Sequence, residues 1–172
     1  MPMIKPGVQD AINDQINHEL FAAYIYLSMS AYFESTNLPG FATWMRAQAQ
    51  EEVVHGMKLF DFLNDRGGRV LLKAVDSPPT EFKSPLDVFE QALKHEQKVT
   101  QMISTLYETA AKANDFAAQV ALQWFITEQV EEEKTADLMV EQLKMIGNDR
   151  PAMLMLDREL GSRKPAADGH DH

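Results

Sequence analysis

Between about Leu38 and Arg66 the chain has the spacing of one long helix, and that helix contains a conflict. Phe41, Met45, Leu59 and Phe62 follow one another at steps of three and four across a gap. The same steps carry the stripe through Gln48, Glu52 and His55 within Glu51-Glu52-Val53-Val54-His55. A carboxylate and an imidazole therefore lie on the face that should turn to the core. Glu52 and His55 are three apart, so they meet on one face. Buried charge costs several kcal/mol unless something pairs with it. A hydrogen-bonded couple and a metal site both satisfy this pair taken alone. The choice depends on whether other segments aim carboxylates at the same place.

The chain of 172 residues suits one domain, and its 45% hydrophobic content is ordinary for a globular fold. It contains no Cys, which excludes disulfides, thiolate metal sites and cysteine nucleophiles. A metal here must take oxygen and nitrogen ligands. The N-terminus, Met1-Pro2-Met3-Ile4-Lys5-Pro6-Gly7, has no apolar run of signal-peptide length, and no stretch reaches membrane-span length. A cytoplasmic location is the simplest expectation. A net charge of -10 disfavours nucleic acid and anionic membranes as partners and suits a protein that handles cations.

The spacing predicts five helices and no strands. The first runs from near Pro6 to about Ser35, with Ile12, Ile16, Glu19, Ala23, Tyr26, Ser30 and Phe33 on its inner stripe. Asn37-Leu38-Pro39-Gly40 turns the chain back into the second helix, which stops at Gly67-Gly68. Residues 67–84 have no helical period and contain Pro78-Pro79. Extended, such a segment reaches roughly 60 Å, and a helix of about 28 residues is roughly 40 Å long. It can therefore run the length of a bundle, the connection of a ferritin-like four-helix bundle. Ser84-Pro85-Leu86-Asp87 starts the third helix, with Leu86, Phe89, Leu93, Glu96, Thr100, Ile103 and Tyr107 inside. The fourth, after Asn114-Asp115, turns Leu122, Phe125, Gln129, Glu132, Ala136, Met139, Leu143 and Ile146 inward. A short fifth helix opens at Pro151 and closes at Gly161. Its run Met153-Leu154-Met155-Leu156 suits burial in an assembly. The folded domain is expected over 1–163. The Pro-, Ala- and charge-rich sequence from Ser162, and 164–172 in particular, reads as a disordered tail in which His170 and His172 carry no fixed role. His18 and His95 neighbour inner acids but point about 100° away from them, as rim or surface residues.

Each of the four long helices thus places one acid near the middle of its inner stripe: Glu19, Glu52, Glu96 and Glu132. His55 joins them. Two divalent ions would neutralise four carboxylates. A pair of Fe ions suits this donor set, with Mn the nearest rival and Zn an inhibitor.

Over residues 4–163 the sequence closely resembles the non-haem bacterial ferritins of the ferritin family. The likeness rests on Asn17-His18-Glu19-Leu20, Ala49-Gln50-Glu51-Glu52-Val53-Val54-His55, Leu93-Lys94-His95-Glu96-Gln97 and the run from Leu122 through Lys134. The resemblance implies a ferroxidase that oxidises Fe(II) with dioxygen or hydrogen peroxide. It also implies a hollow homo-oligomeric shell of twenty-four subunits that stores ferric mineral, with the fifth helices meeting at four-fold axes. It implies one iron at Glu19, Glu52 and His55, and a second at Glu96 and Glu132 with Glu52 bridging. Gln129 falls close to the second iron, and Tyr26 beside the centre as a possible electron donor. Bacterioferritins place a haem-ligating Met after the bridging Glu. This chain has Val53 there, and Thr135 where they repeat a His, so no haem is expected. Rubrerythrins need cysteines. A passive cage subunit and another di-iron or manganese carboxylate oxidase are the competing functions.

Glu51, Glu128 and Glu131 are acids that a dinuclear site leaves unused. Glu128 and Glu131 share a face rotated from the Gln129–Glu132 stripe, and Glu51 is rotated from Glu52 in the same sense. They are candidates for a third iron site toward the cavity of the shell, a site that the resemblance also implies. A solvated acidic face is the alternative.

Overall fold

The computed structural model describes residues 3–164. Five helices form in the predicted order: α1 (Pro6–Ser35), α2 (Pro39–Asp65), α3 (Pro85–Lys112), α4 (Phe116–Ile146) and α5 (Arg150–Leu160). The expected tail over 164–172 lies, except for Lys164, outside the described residues. Each long helix closes on a residue in the left-handed region, Asn37, Gly67, Asn114 or Gly147, as these residue types permit. Ser84 caps α3 through the Asp87 amide, and Asp115 caps α4 through the Ala118 amide. Asp115 also takes both ends of the Arg66 guanidinium, at 2.8 and 3.2 Å, which fastens the end of α2 to the start of α4.

α1 packs on α2, α3 on α4, and α1 also on α3. The connection from α2 to α3 lies extended along α1. The Asn13 side chain donates to the Arg69 carbonyl and accepts from the Leu71 amide, and Asn17 donates to the carbonyl of Ala74. Further along, the Tyr32 and Phe82 rings meet at 5.4 Å. These contacts satisfy backbone groups that a strand without a neighbour would leave open, and they explain how so long a segment stays in place without secondary structure.

The apolar interior is split in two. One cluster holds Tyr26, Phe33, Phe41, Met45, Phe89, Met139 and Leu143. The other holds Ile12, Ile16, Leu59, Leu63, Val99, Ile103, Leu122 and Phe125. On every long helix the buried acid falls in sequence between residues of the first cluster and residues of the second. A polar layer therefore crosses the middle of the bundle.

Some positions differ from the predicted stripes. Leu63 is fully buried and Phe62 only half-buried. On α3 the buried line is Val88, Phe89, Ala92, Glu96, Val99, Ile103, Leu106 and Ala110, while Leu86, Leu93 and Tyr107 are half-buried. The helix has turned slightly, so that Ala92 rather than Leu93 and Leu106 rather than Tyr107 are buried. Leu156 and Leu160 of α5 join the bundle's own core, but Leu154 and Met155 are 51% and 71% exposed. The helix is thus divided between its own bundle and an open face. The expectation of disorder from Ser162 is corrected for Ser162, whose hydroxyl donates to the Glu159 carbonyl at 2.7 Å, and for Arg163, held by hydrogen bonds described below.

Candidate metal centre

Glu19, Glu52, His55, Glu96 and Glu132 are all buried at the level of the polar layer. Their donor atoms form overlapping groups whose members lie within 4.8 Å of one another: Glu19 with Glu52 and His55, and Glu52 with Glu96 and Glu132. Glu52 belongs to both. A third group joins His55 to Glu128 and Glu132. His55 Nδ1 lies 3.2 Å from Glu52 and 4.0 Å from Glu19, and Nε2 lies 4.0 Å from Glu128. The imidazole is fixed by the edges of Trp124 and Phe125, at 5.2 and 6.3 Å between ring centres.

Surrounding groups position these carboxylates. Gln15 donates to Glu19 at 3.2 Å. The Gln48 amide donates to Glu52 at 3.2 Å and to Glu132 at 2.8 Å. Gln129 donates to the Glu96 carboxylate at 3.1 Å and to the Thr100 hydroxyl at 3.2 Å. Thr100 in turn donates to Glu133. Gln129 is thus a neighbour that orients Glu96. The Tyr26 hydroxyl also donates to Glu96. Glu19 Oε2 is fully buried and has no hydrogen-bond partner. An oxygen in that state is costly, and a cation is the partner this donor set fits.

The electrostatics agree. Burial, then the nearby Glu52, pushes the Glu19 carboxyl well above the usual range. Burial and Glu96 do the same to Glu52. Burial, then Glu96 and Glu52, do so to Glu132. Glu96 is raised to about 7, burial outweighing the Tyr26 and Gln129 hydrogen bonds that oppose it. Burial and the Glu96 charge raise the Tyr26 phenol well above its ordinary value. Without a cation the centre must hold protons. Positive charge entering would displace them.

Glu51, Glu128 and Glu131 line a cavity of about 210 Å³ that Glu132 also borders. Glu128 is buried, Glu51 half-buried and Glu131 exposed. Gln48 and Arg163, neither singled out as a candidate from sequence, share that lining. Gln48 lay on the predicted stripe as a polar residue among apolar ones, and that was its signal. Arg163 carried none. His18 and His95 belong to none of the three metal-competent groups. His95 is half-buried. Its Nε2 is buried without a hydrogen-bond partner, and burial, aided by Lys98 and His18, lowers the ring to about 4.

A four-helix bundle crossed by one carboxylate-rich, imidazole-bearing layer defines a class of helical proteins that can hold metal in the core. Comparison with known proteins gives the family. A ferritin-like domain model matches residues 9–146. The bacterial non-heme ferritin of Staphylococcus haemolyticus is 42% identical over 161 residues, covering 94% of this chain and 97% of the relative. That of Staphylococcus aureus is 40% identical over the same length. Among solved structures, the open pore ferritin of the hyperthermophilic archaeon Archaeoglobus fulgidus superposes with a TM-score of 0.93 at 51% identity, over 94% of this chain and 98% of that one. A closed form of the Archaeoglobus fulgidus ferritin made by site-directed mutagenesis gives 0.94 at 50%, over 95% and 99%. The chain belongs to the ferritin family.

Proposed function

We propose that this chain is an iron-storage subunit with ferroxidase activity. Fe(II) is the substrate, taken by Glu19, Glu52 and His55 on one side and by Glu52, Glu96 and Glu132 on the other. The membership of Glu52 in both groups is the observation that carries this reading. Two ferrous ions neutralise the four carboxylates and displace the protons that burial keeps on them. Each ion gives up one electron. Dioxygen accepts two electrons and two protons to become hydrogen peroxide; with hydrogen peroxide as oxidant, the same two electrons and two protons give two water molecules. Displaced carboxyl protons are available at the site for either reaction.

Tyr26 passes an electron or a proton to the same centre, a role its hydrogen bond to Glu96 supports. Carboxylate ligands exchange readily, which lets ferric product move toward the cavity lined by Glu51, Glu128 and Glu131. Those three residues, with His55 and Glu132 near Glu128, would hold a third iron in transit. Storage as mineral requires an enclosed space, and the family supports a homo-oligomeric shell, in our reading of twenty-four subunits; Val53 supports a shell without haem, and we place it in the cytoplasm. Among the described residues no helix is long and apolar enough to cross a membrane.

Replacing Glu52 with Ala tests the centre. Rapid oxidation of about two Fe(II) per subunit should disappear. Oxidation at the wild-type initial rate would refute the site and leave the passive cage.

A further inference from the structure

The cavity beside the centre already holds a cation that belongs to the chain. Arg163 lies beyond the end of α5, and its guanidinium reaches back to α2. Nη1 donates to the Trp44 carbonyl at 3.1 Å. Nη2 donates to the Gln48 side-chain oxygen at 3.0 Å and pairs with Glu51 at 3.1 Å. The plane lies over the Trp44 ring, 4.4 Å from its centre. A guanidinium has only donors, so it fixes which way Gln48 faces: oxygen toward Arg163, amide hydrogens toward Glu52 and Glu132. One positive side chain thereby reaches, through a single buried glutamine, two carboxylates of the metal centre.

We propose that Arg163 is a positioning residue and resident counter-ion of the metal centre, holding Gln48 and Glu51 in the metal-free protein and competing with metal that enters from the cavity. The inference rests on the dinuclear reading given under Proposed function. Two effects act in the same direction. The Gln48 amide occupies one oxygen each of Glu52 and Glu132, so a metal that takes those oxygens weakens the arrangement that Arg163 supports. A cation approaching Glu51 also meets the charge of the guanidinium, in a setting where screening is incomplete. Coupling of this kind is reciprocal: if metal loosens Arg163, loss of Arg163 tightens metal. A residue that only fastened the C-terminal segment would leave metal affinity unchanged.

The test uses the assembled protein without dioxygen and Zn(II) as the redox-silent probe, titrated calorimetrically. Arg163→Gln should tighten the weakest-bound zinc equivalent about tenfold, within the usual range of such couplings. Arg163→Lys, which keeps the charge but not the fork, should fall between it and the wild type. In a Trp124→Phe background, Trp44 emission should change as zinc fills the site, and the change should be lost with Arg163→Gln. Zinc affinity within twofold of wild type in Arg163→Gln, or no Trp44 response in its presence, overturns the proposal. If Arg163→Gln does not assemble, Arg163→Lys decides: tighter zinc binding than wild type supports the proposal, and equal or weaker binding overturns it. Failure of the underlying reading looks different. Fewer than two zinc ions per wild-type subunit, or two retained by Glu52→Gln, would refute the dinuclear site itself.

Discussion

The Tyr26 hydroxyl donates to Glu96 Oε1 at 2.5 Å inside the bundle, joining an aromatic residue of one apolar cluster to a carboxylate of the polar layer. The ring meets the edge of His95 at 6.4 Å, so its position is set from two sides. Tyr26 is therefore part of the core by its ring and part of the centre by its oxygen.

Tyr26→Phe keeps the ring and removes the donor. Glu96 then loses one of the two hydrogen bonds that hold its pKa down. Two metal ions per subunit should still bind in an anaerobic titration. The initial rate of Fe(II) oxidation should fall about a hundredfold, the lower end of what one positioned proton donor contributes. An unchanged rate in stopped-flow measurements would remove Tyr26 from the chemistry.

Stability of the metal-free protein should depend on pH in an unusual sense. Burial raises Glu96 to about 7 from an ordinary 4.5, and Glu19, Glu52 and Glu132 are also raised. A carboxyl raised by folding stays protonated after the unfolded chain has ionised. Its cost therefore grows as pH rises from the unfolded value through the folded one. For Glu96 the full cost is on the order of 3 kcal/mol. His95, lowered to about 4, gives a slope of opposite sign only below its ordinary 6.5, and His18 is lowered likewise. Above pH 6.5 the acids dominate. The denaturation midpoint of metal-free protein should fall between pH 6.5 and 8, and zinc should flatten the dependence. A midpoint rising over that interval would contradict the assignment.

Most of this arrangement was legible because burying a carboxylate is expensive enough to stand out. Glu19, Glu52, Glu96 and Glu132 interrupt apolar stripes, and the structure brings all four together with His55. Helix ends were legible for an equally local reason, since Asn37, Gly67, Asn114 and Gly147 adopt backbone conformations that few other residues accept. Gln48 was readable only as a polar residue on the stripe. Its role depends on which groups on other helices it meets. Arg163 was hidden altogether. It follows a Gly and a Ser in a stretch of tail-like composition, and nothing local shows that it returns to Trp44 and Glu51. The rotation of α3 that exchanges Leu93 for Ala92 in the core is likewise a tertiary effect, because an unpartnered helix has no means of choosing between the two.

The open face of α5 should be an assembly surface. Leu154 and Met155 are exposed there, and Met145 of α4 is 80% exposed. Uncovered apolar side chains on a short helix are the usual mark of a subunit contact. Met155→Glu should leave helix content by circular dichroism intact, because the side chain is largely exposed. It should shift the particle from the closed shell toward smaller species in sedimentation velocity. A full-size shell at micromolar concentration would show that α5 is not part of the contact.

The attachment of α5 to α2 offers the sharpest test of the packing. Leu38 supplies no side-chain cap for α2, leaving the amides of its first turn in need of acceptors. Asp157 provides one from α5, its carboxylate accepting from the Phe41 amide at 2.9 Å. That approach is possible only because residue 40 is glycine. A Cβ there would lie 1.6 Å from the Asp157 carbonyl oxygen, 2.6 Å from its carbonyl carbon and 3.0 Å from the Asp157 Cγ. Gly40→Ala must therefore push the two helices apart, with a cost of about 3 kcal/mol or more. Asp157→Ala loses only the cap, about 1 kcal/mol. The denaturant midpoint should fall in both variants and further in Gly40→Ala, whereas two-ion zinc binding at the centre should survive in both. Because Arg163 follows directly from α5, Gly40→Ala should also release Arg163 from the Trp44 ring and alter Trp44 emission in the Trp124→Phe background. Equal stability of Gly40→Ala and wild type would show that α5 does not pack against α2 in this way.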